Sequence, residues 1–211
     1  MSGSLRGPLH RSILALDLER SSARNNLIKV EQRRELYHVL REAMRAAGID
    51  EHYCEPIADR GDGVLVLVHP VDEVPKSRLL VPLIPELTRL LVDYNDALPV
   101  AERALRQLRM RAVVHAGDLL CDDHGLFGTE LDAAIRLLDS DVVRELLRET
   151  TTPLVLVVSQ QIYESIVIHG YDGISPESYH RAVEVHVCGL TRHGWLHVPA
   201  GHGQPIPITA A

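Results

Sequence analysis

Two aspartates of this sequence stand at places where a protein can bind divalent cations. Asp17 ends the short apolar segment 12–17 (SILALD), and Asp62 lies between two glycines just before the apolar segment 64–68 (VLVLV). Two carboxylates that lie close together repel each other, and a magnesium or manganese ion that binds both relieves the repulsion. Such ions can hold a nucleoside triphosphate for in-line phosphoryl transfer, if the fold brings the two side chains together.

Each aspartate also has a purely structural interpretation. Asp17 would simply end a strand, and Gly61, Asp62 and Gly63 would form a tight turn, since glycine and aspartate are common turn residues. Either motif taken alone favours this interpretation. The case for chemistry therefore depends on the elements that position the two residues.

Those elements follow from the spacing of the apolar residues. Apolar runs predict strands at residues 12–17, 52–58, 64–68, 110–115, 153–158, 182–188 and 193–198. Helical periodicity predicts helices at residues 26–47, 77–97 and 129–147, and Ser159 suits the N-cap of a further short helix. The residues 59–63 predict an antiparallel hairpin between the second and third strands.

The order of the elements predicts an α/β (α+β) fold of the ferredoxin-like palm type, a βαββαβ core with additional C-terminal α and β elements. In a palm, the end of the first strand and the following hairpin are neighbours, so Asp17 and Asp62 would lie side by side. Many functions use this fold, so it does not indicate an activity by itself. We predict one domain at residues 11–198, a flexible N-terminus at 1–10 and a disordered tail at 199–211.

The composition excludes several classes of function. The formal net charge of −7 argues against nucleic acid as a partner, because phosphate contacts need clustered lysines and arginines. The three cysteines are far apart and give neither a disulfide framework nor a zinc site. We see no signal peptide and no apolar stretch of the roughly 18 residues that a bilayer requires, so we expect a cytoplasmic protein without membrane contact.

Four segments resemble, in the same order, the motifs of the class III nucleotidyl (adenylate and guanylate) cyclases. Residues 16–21 (LDLERS) resemble the first-strand pattern apolar-Asp-Ile-x-Gly-Phe, and residues 60–66 (RGDGVLV) resemble the Gly-Asp-Gly hairpin. Residues 111–118 (RAVVHAGD) resemble Arg-x-Gly-Ile-His-Thr-Gly-Glu, and residues 128–137 (GTELDAAIRL) resemble Gly-x-x-Val-Asn-x-Ala-x-Arg-Leu. The chain thus resembles a divergent, stand-alone member of bacterial type.

The resemblance implies a role for each matching residue. Asp17 and Asp62 would bind two Mg²⁺ or Mn²⁺ ions, with the backbone carbonyl of Leu18 as a further ligand. Arg136 would be the catalytic arginine that stabilises phosphate charge in the transition state, a task that suits a guanidinium. Because class III sites form between two subunits, the resemblance also implies a homodimer in which Arg136 and Asp132 face the partner's aspartates.

Several residues depart from the family's pattern. Asp132 replaces an asparagine at a catalytic position, and Ala58 and Gly125 stand where many members have the lysine and the acid that read the purine. Arg20 replaces the glycine that follows the first metal aspartate. We assign Arg20 and Arg60 as candidate ligands of the nucleotide phosphates, and the base of the nucleotide stays open.

Two hypotheses of different classes follow. The first is a metal-dependent domain that binds a nucleoside triphosphate and forms a cyclic nucleotide monophosphate for intracellular signalling. The alternative is a catalytically inactive homologue that works as a dimerising regulatory module with a separate partner protein, as the departures at positions 20, 58, 125 and 132 favour. A diguanylate cyclase or polymerase relative is a weaker hypothesis, because Gly63 occupies the place of the second hairpin acid.

Overall fold

The computed structural model describes residues 6–19 and 24–200. Its strands are β1 (Arg6–Leu18), β2 (Ala58–Asp59), β3 (Gly63–Val68), β4 (Met110–Asp122), β5 (Gly125–Phe127), β6 (Leu154–Ser159), β7 (His180–Val187) and β8 (Leu190–His197). Its α-helices are α1 (Asn26–Ala46), α2 (Leu83–Ala97), α3 (Val100–Arg106), α4 (Thr129–Leu138), α5 (Asp141–Glu149) and α6 (Gln160–Ser165). Arg20 and the residues 1–5 and 201–211 of the predicted terminal segments lie outside the described residues, whereas residues 6–10 begin β1.

The strands form one sheet with the order β2-β3-β1-β4-β6-β8-β7, and β5 pairs with the far end of β4. Along this order only β4 and β6 are parallel neighbours. The arrangement β2-β3-β1-β4, with α1 after β1 and α2 before β4, is that of a ferredoxin-like βαββαβ core. The predicted palm fold is therefore confirmed, and β6, β8 and β7 extend it on the β4 side.

The core lies on both faces of this sheet because side chains alternate along each strand. Leu14 and Leu16 of β1 pack on the face covered by α1 and α2, whereas Ile13 and Ala15 pack on the face covered by α4 and α5. By the same alternation Asp17 belongs to the α4/α5 face. The core consists mainly of leucine, valine, isoleucine and alanine, as the aromatic content of 4% predicts.

The helix boundaries of α1 have clear local causes. The Asn25 side chain accepts a hydrogen bond from the Ile28 N–H at 3.0 Å and so caps the first turn. The chain leaves the helix through Gly48, which has a φ of +66°. Among the described residues no helix has both the length and the apolar character that a membrane span requires.

Three predicted elements differ from the structure. The predicted helix at residues 129–147 is divided into α4 and α5, because Ser140 has an extended backbone with φ −62° and ψ 146°. The predicted strand at 52–58 is a 3-10 turn (Glu51–Tyr53) followed by the two strand residues of β2, which do pair with β3 as an antiparallel hairpin. The predicted helix at 77–97 begins only at Leu83, after a 3-10 turn (Lys76–Leu79).

One aromatic pair joins α6 to the sheet. Trp195, the single tryptophan of the chain, lies on β8 and pairs with Val158 of β6. Its indole stacks on the Tyr163 ring of α6, with 4.5 Å between the ring centroids. The guanidinium of Arg181 on β7 lies 5.9 Å from the indole centroid. This contact fixes the short α6 against the last strands of the sheet.

Candidate functional site

Asp17 and Asp62 are brought together by the pairing of β1 with β3. Asp17 pairs with Gly63, the first residue of β3, and Asp62 immediately precedes that glycine. The Asp62 carbonyl oxygen accepts a hydrogen bond from the Leu18 N–H at 3.0 Å. A Cβ atom at position 63 would lie 2.3 Å from the Leu16 carbonyl oxygen, so this close approach of the strands requires glycine. The two aspartates are thus neighbours at one end of the sheet.

Both aspartates line a polar cleft of about 380 Å³. A cleft of this size can hold a small molecule. The first strand, the hairpin, β4 and the junction of α4 with α5 all contribute to its walls. The polar and charged side chains of the lining are Asp17, Arg60, Asp62, Arg111, Asp139 and Arg144, and Leu18 lies among them.

Arg111 is a residue of this cleft that the sequence analysis missed. It lies opposite Asp17 in the β1–β4 ladder, and its guanidinium forms an ion pair with the Asp17 carboxylate. The same guanidinium donates to the Leu138 carbonyl oxygen at 3.2 Å and lies 3.4 Å from a carboxylate oxygen of Asp139. Arg111 is only 7% exposed, so the pair is largely shielded from water. In the sequence, the position of a charged arginine within an otherwise apolar strand could have indicated a role for Arg111.

The surroundings of Asp17 disfavour its ionised form. Burial raises the pKa of Asp17, and the Arg111 guanidinium acts against this shift. The negative charges of Asp62 and Asp139 raise the pKa further, and the net direction is upward. Arg111 therefore does not fully offset the burial of Asp17 and the charges of its two carboxylate neighbours, and a further positive charge beside Asp17 and Asp62 would favour the ionised form.

The donor atoms of the cleft fit a magnesium or manganese ion. Magnesium is typically held by one or two protein carboxylates and completes its octahedron with water and substrate phosphates. Asp17 and Asp62 supply two carboxylates on one cleft. Within residues 6–19 and 24–200 there is no group of three or more histidine, cysteine, aspartate or glutamate side chains arranged to hold a metal. The cleft thus suits an ion that is shared with a substrate.

The predicted phosphate ligands have different positions. Arg60 is exposed and lines the cleft next to Asp62. Arg20 lies outside the described residues. A further arginine, Arg144 of α5, also lines the cleft and pairs with Asp139 and Asp141 at 3.2 Å each. Sequence reasoning missed Arg144 because the predicted continuous helix hid the turn that directs α5 toward the cleft.

Arg136 and Asp132 do not lie in the cleft of their own chain. They are one turn apart on the exposed face of α4, and the opposite face of that helix packs on the sheet. Neither side chain forms an ion pair with another residue of the described part of the chain. The structure therefore separates these two residues from Asp17 and Asp62.

No protein-family model and no curated protein matches the chain by sequence. Solved structures match it closely in shape. The crystal structure of the guanylyl cyclase Cya2 is similar over 96% of both chains, with a TM-score of 0.60 and 18% identity. An adenylate/guanylate cyclase/hydrolase from Silicibacter pomeroyi is similar over 94% of this chain and 100% of that one, with a TM-score of 0.60 and 20% identity.

A third similar structure is the adenylyl cyclase CyaB from P. aeruginosa, with a TM-score of 0.57 and 11% identity. The match covers 96% of this chain and 98% of that one. At these identities the likeness concerns the fold, and it extends over nearly the whole of each chain. The protein therefore has the fold of the adenylyl and guanylyl cyclases that its sequence motifs resemble.

Proposed function

We propose that the chain binds a nucleoside triphosphate together with magnesium or manganese ions at the Asp17–Asp62 cleft, and that it forms a cyclic nucleotide monophosphate. The observation that carries this proposal is the position of both carboxylates on one cleft, in a chain with the cyclase fold. The similar structures are described as adenylyl and guanylyl cyclases, which supports this class of reaction.

The charges around the cleft favour a substrate that arrives with its own cations. Three carboxylates and three guanidinium groups line it, so the formal charges of the lining cancel. A free triphosphate would meet no net positive field there. When bound, the divalent ions would stabilise the charge that develops on the transferring phosphoryl group.

Within one chain, each residue of the cleft would have a distinct task. Asp17 and Asp62 would hold the metal ions, and the carbonyl oxygen of Leu18 would add a ligand. Arg60, and Arg20 beyond the end of β1, would bind phosphate oxygens through their guanidinium groups. The ribose 3′-hydroxyl would lose its proton to water, its oxygen would form a bond to the α-phosphorus, and the bond from the α-phosphorus to the leaving pyrophosphate would break.

A second copy of the chain would complete the site. Arg136 and Asp132 lie on the exposed face of α4, where a partner can reach them. In a homodimer, Arg136 of one subunit would stabilise the transition-state charge in the cleft of the other. Asp132 is an acid near phosphates in this arrangement, so it would need a metal ion or an arginine beside it.

The choice of base would be altered or relaxed. Ala58 on β2 and Gly125 on β5 are exposed and carry no polar group that could read a purine. A polar contact that a site makes to a base discriminates strongly, because the wrong base leaves the polar group without a partner. Without these contacts, we propose that all four common nucleoside triphosphates are candidate substrates.

Product analysis by mass spectrometry tests the proposal. The protein is incubated with ATP, GTP, CTP and UTP in turn, each with manganese. We expect a cyclic monophosphate from at least one of them, and a rate lower by about 10² to 10³ for Arg136→Ala. Arg148→Ala changes an exposed arginine of α5 and serves as the matched control, with an unchanged rate.

Asp62→Asn separates the remaining outcomes. We expect it to abolish both metal-dependent nucleotide binding in calorimetry and product formation. Unchanged binding in this variant would contradict the assignment of the cleft. Metal-dependent binding to the wild-type protein without any product would instead support the inactive regulatory module.

A further inference from the structure

The helix α4 carries Arg136 and Asp132 on its exposed face, so its position on the sheet determines where these two side chains lie. Its opposite face can approach the sheet closely, because Ala133 and Ala134 are small and completely buried there. The N-terminus of the helix has no side-chain cap, since Gly128 occupies the N-cap position. Contacts with the sheet must therefore fix where α4 lies.

Two glycines of the sheet lie beneath α4. A Cβ atom at Gly117 of β4 would lie 2.5 Å from Cγ and 2.6 Å from Cβ of Glu130, which belongs to the first turn of the helix. A Cβ atom at Gly194 of β8 would lie 3.1 Å from a methyl carbon of Leu137, in the last turn. Positions 130 and 137 are about two turns apart and so lie on one face of the helix. The helix thus approaches the sheet closely at both of its ends.

Glu130 connects the first turn of α4 to two strands. One of its carboxylate oxygens accepts a hydrogen bond from Arg192 of β8 at 2.6 Å, and the other lies 3.0 Å from Nε2 of the buried His115 of β4. The hydrogen bond with His115 and the charge of Arg192 lower the pKa of Glu130, so the carboxylate is ionised at neutral pH. Hydrogen bonds to an ionised group are among the stronger ones in proteins. These two contacts therefore attach the helix firmly to the sheet.

Arg111 forms the corresponding contact at the last turn of α4. Its guanidinium donates a hydrogen bond to the Leu138 carbonyl oxygen at 3.2 Å. Arg111, His115 and Gly117 are separated by even numbers of residues on β4, so all three belong to the face of the sheet that α4 covers. One strand therefore holds the helix at both ends, beside the proposed metal cleft through Arg111 and far from the cleft through His115.

Glu130 does not itself take part in the proposed chemistry. It does not line the Asp17–Asp62 cleft, and both of its carboxylate oxygens have partners in the same chain. Its position also falls on an unspecified residue of the cyclase-like motif at 128–137, so the resemblance assigns it no role. An effect of Glu130 on the reaction would therefore be transmitted by the position of α4.

We propose that Glu130 is a positioning residue that fixes α4 on the sheet, so that Arg136 reaches the cleft of a second copy of the chain. This inference rests on the proposed function, because it concerns the composite site described there. An arginine that stabilises charge in a transition state has to be held close to its productive geometry. A displacement of about 1 Å, even one caused far from the chemistry, can lower a rate about 10²-fold.

Steady-state kinetics with manganese and each of ATP, GTP, CTP and UTP test the effect on the reaction. Glu130→Ala removes both contacts, whereas Glu130→Gln keeps an oxygen for Arg192 and an amide beside His115. We expect kcat to be about 10- to 10²-fold lower for Glu130→Ala, with KM within about twofold of the wild-type value, because the nucleotide is bound by the other half of the site. Glu130→Gln should stay close to the wild type. Glu145→Ala, at an exposed glutamate of α5, is the matched control and should change neither constant.

Mixed dimers distinguish a positioning role from general damage to the fold. Glu130→Ala subunits are unfolded together with an equal amount of Asp62→Asn subunits and refolded. If Glu130 acts only through α4, its variant keeps a working Asp17–Asp62 cleft, and about half of the dimers have one intact site, so we expect about a quarter of the wild-type product. The mixture with Arg136→Ala should not recover, because both changes damage the same half of the site. A defect of the whole Glu130→Ala subunit would prevent recovery in both mixtures.

Amide hydrogen exchange, measured by mass spectrometry, tests the attachment of α4 without any substrate. We expect the amides of α4 to exchange at least about 10-fold faster in Glu130→Ala, because the variant loses two hydrogen bonds to a charged group. The amides of α1 and α2, which pack on the other face of the sheet, should exchange as in the wild type. Arg192→Met removes one of the two contacts at a side chain that is 33% exposed, and it should change α4 in the same direction. Glu145→Ala should leave the exchange of α4 unchanged.

Three results would overturn the proposal. They are unchanged exchange of α4 in Glu130→Ala, equally faster exchange in all helices and strands, and a wild-type kcat for this variant. If Glu130→Ala does not fold, unchanged exchange of α4 in Arg192→Met overturns the proposal instead. The absence of any product from the wild-type protein would contradict the proposed function, whereas the exchange of α4 would still decide whether Glu130 holds the helix in place.

Discussion

Arg111 forms an ion pair with Asp17 in the free protein, at the same carboxylate that we propose as a metal ligand. The ion pair lies on the α4/α5 face of the sheet, with Asp62 and Asp139 close enough to raise the pKa of Asp17. A divalent ion that binds Asp17 would therefore balance part of the negative charge that Arg111 balances in the free protein. The arginine would thus both stabilise the fold and compete with the proposed metal ion.

Arg111→Met tests the part that charge plays in this pair. We expect a loss of about 3 kcal/mol in the free energy of unfolding at neutral pH, because Asp17 keeps a half-buried charge without its partner. Without Arg111 the pKa of Asp17 rises further above its unfolded value. The ionised carboxylate then opposes folding above that pKa, and the loss becomes smaller as the pH falls toward about 5.

Urea denaturation at the two pH values measures this effect. Arg148→Met, at an exposed arginine of α5, is the control and should change the free energy of unfolding little at either pH. Equal losses for Arg111→Met at both pH values would show that the arginine acts through packing of its side chain. In that case the charge of Asp17 would not be the cause.

The neighbouring positions of Asp17 and Asp62 could be predicted from the sequence, whereas the pairing of Arg111 with Asp17 could not. The ends of strands and a Gly-Asp-Gly turn leave local patterns of apolar and turn residues. The pairing of position 17 with position 111 depends on the register of β1 against β4, two segments far apart in the chain. No local pattern specifies such a register before the strands pair.

At the scale of elements, the turn between α4 and α5 has no strong signal in the sequence. Leu131, Leu138, Val142 and Leu146 keep an approximately helical spacing across it, and neither proline nor glycine interrupts them. The turn directs Asp139 and Arg144 to the cleft. Helical periodicity detects a buried face but not a change of axis, so the single predicted helix was wrong.

Ser140 occupies the N-cap position of α5 without performing the usual function of a cap. Its Oγ is buried, makes no capping hydrogen bond and has no partner among the described residues. We expect Ser140→Ala to change the free energy of unfolding by less than about 0.5 kcal/mol. Asn25→Ala, at a true cap of α1, should lose about 1 kcal/mol in the same urea experiment.

A loss of about 1 kcal/mol for Ser140→Ala as well would contradict this expectation. It would mean that the Ser140 hydroxyl accepts a hydrogen bond from the first turn of α5 in solution. The two variants remove a polar side chain from the same position of two helices. Their difference therefore isolates the capping hydrogen bond.

At the scale of the whole molecule, the strand order could be predicted from the sequence. The set of residues that the fold brings to the Asp17–Asp62 cleft could not. The order of strands and helices along the chain is a strong constraint, since few topologies satisfy βαββαβ with short connections. The seven-residue α3 has no buried residue, so it left no apolar pattern to detect. The position of Arg136 on the outer face of α4 became visible only when the helix was placed on its sheet.

Mixed dimers test whether two chains share each site. Asp62→Asn subunits, which we expect to form no product, and Arg136→Ala subunits, which we expect to keep at most about 1% of the rate, are unfolded together in equal amounts and refolded. About half of the dimers should then contain one subunit of each variant. Each of these mixed dimers should have one intact site and one site damaged twice. We therefore expect about a quarter of the wild-type product in the cyclase assay. The matched pair Asp17→Asn with Asp62→Asn, which damages the same half of the site twice, should stay inactive. A mixture of Asp62→Asn and Arg136→Ala that stays equally inactive would contradict the shared site.

The stacking of Trp195 on Tyr163 gives the protein an intrinsic optical probe with a known position. Tyr163 belongs to α6, and neither ring lines the Asp17–Asp62 cleft. As the chain has one tryptophan, its fluorescence emission comes from this place alone. A displacement of α6 from the sheet would change the surroundings of the indole, whereas we expect a metal ion at the aspartates to leave them unchanged. A simple emission titration thus separates a movement of α6 from metal binding at the cleft without any label.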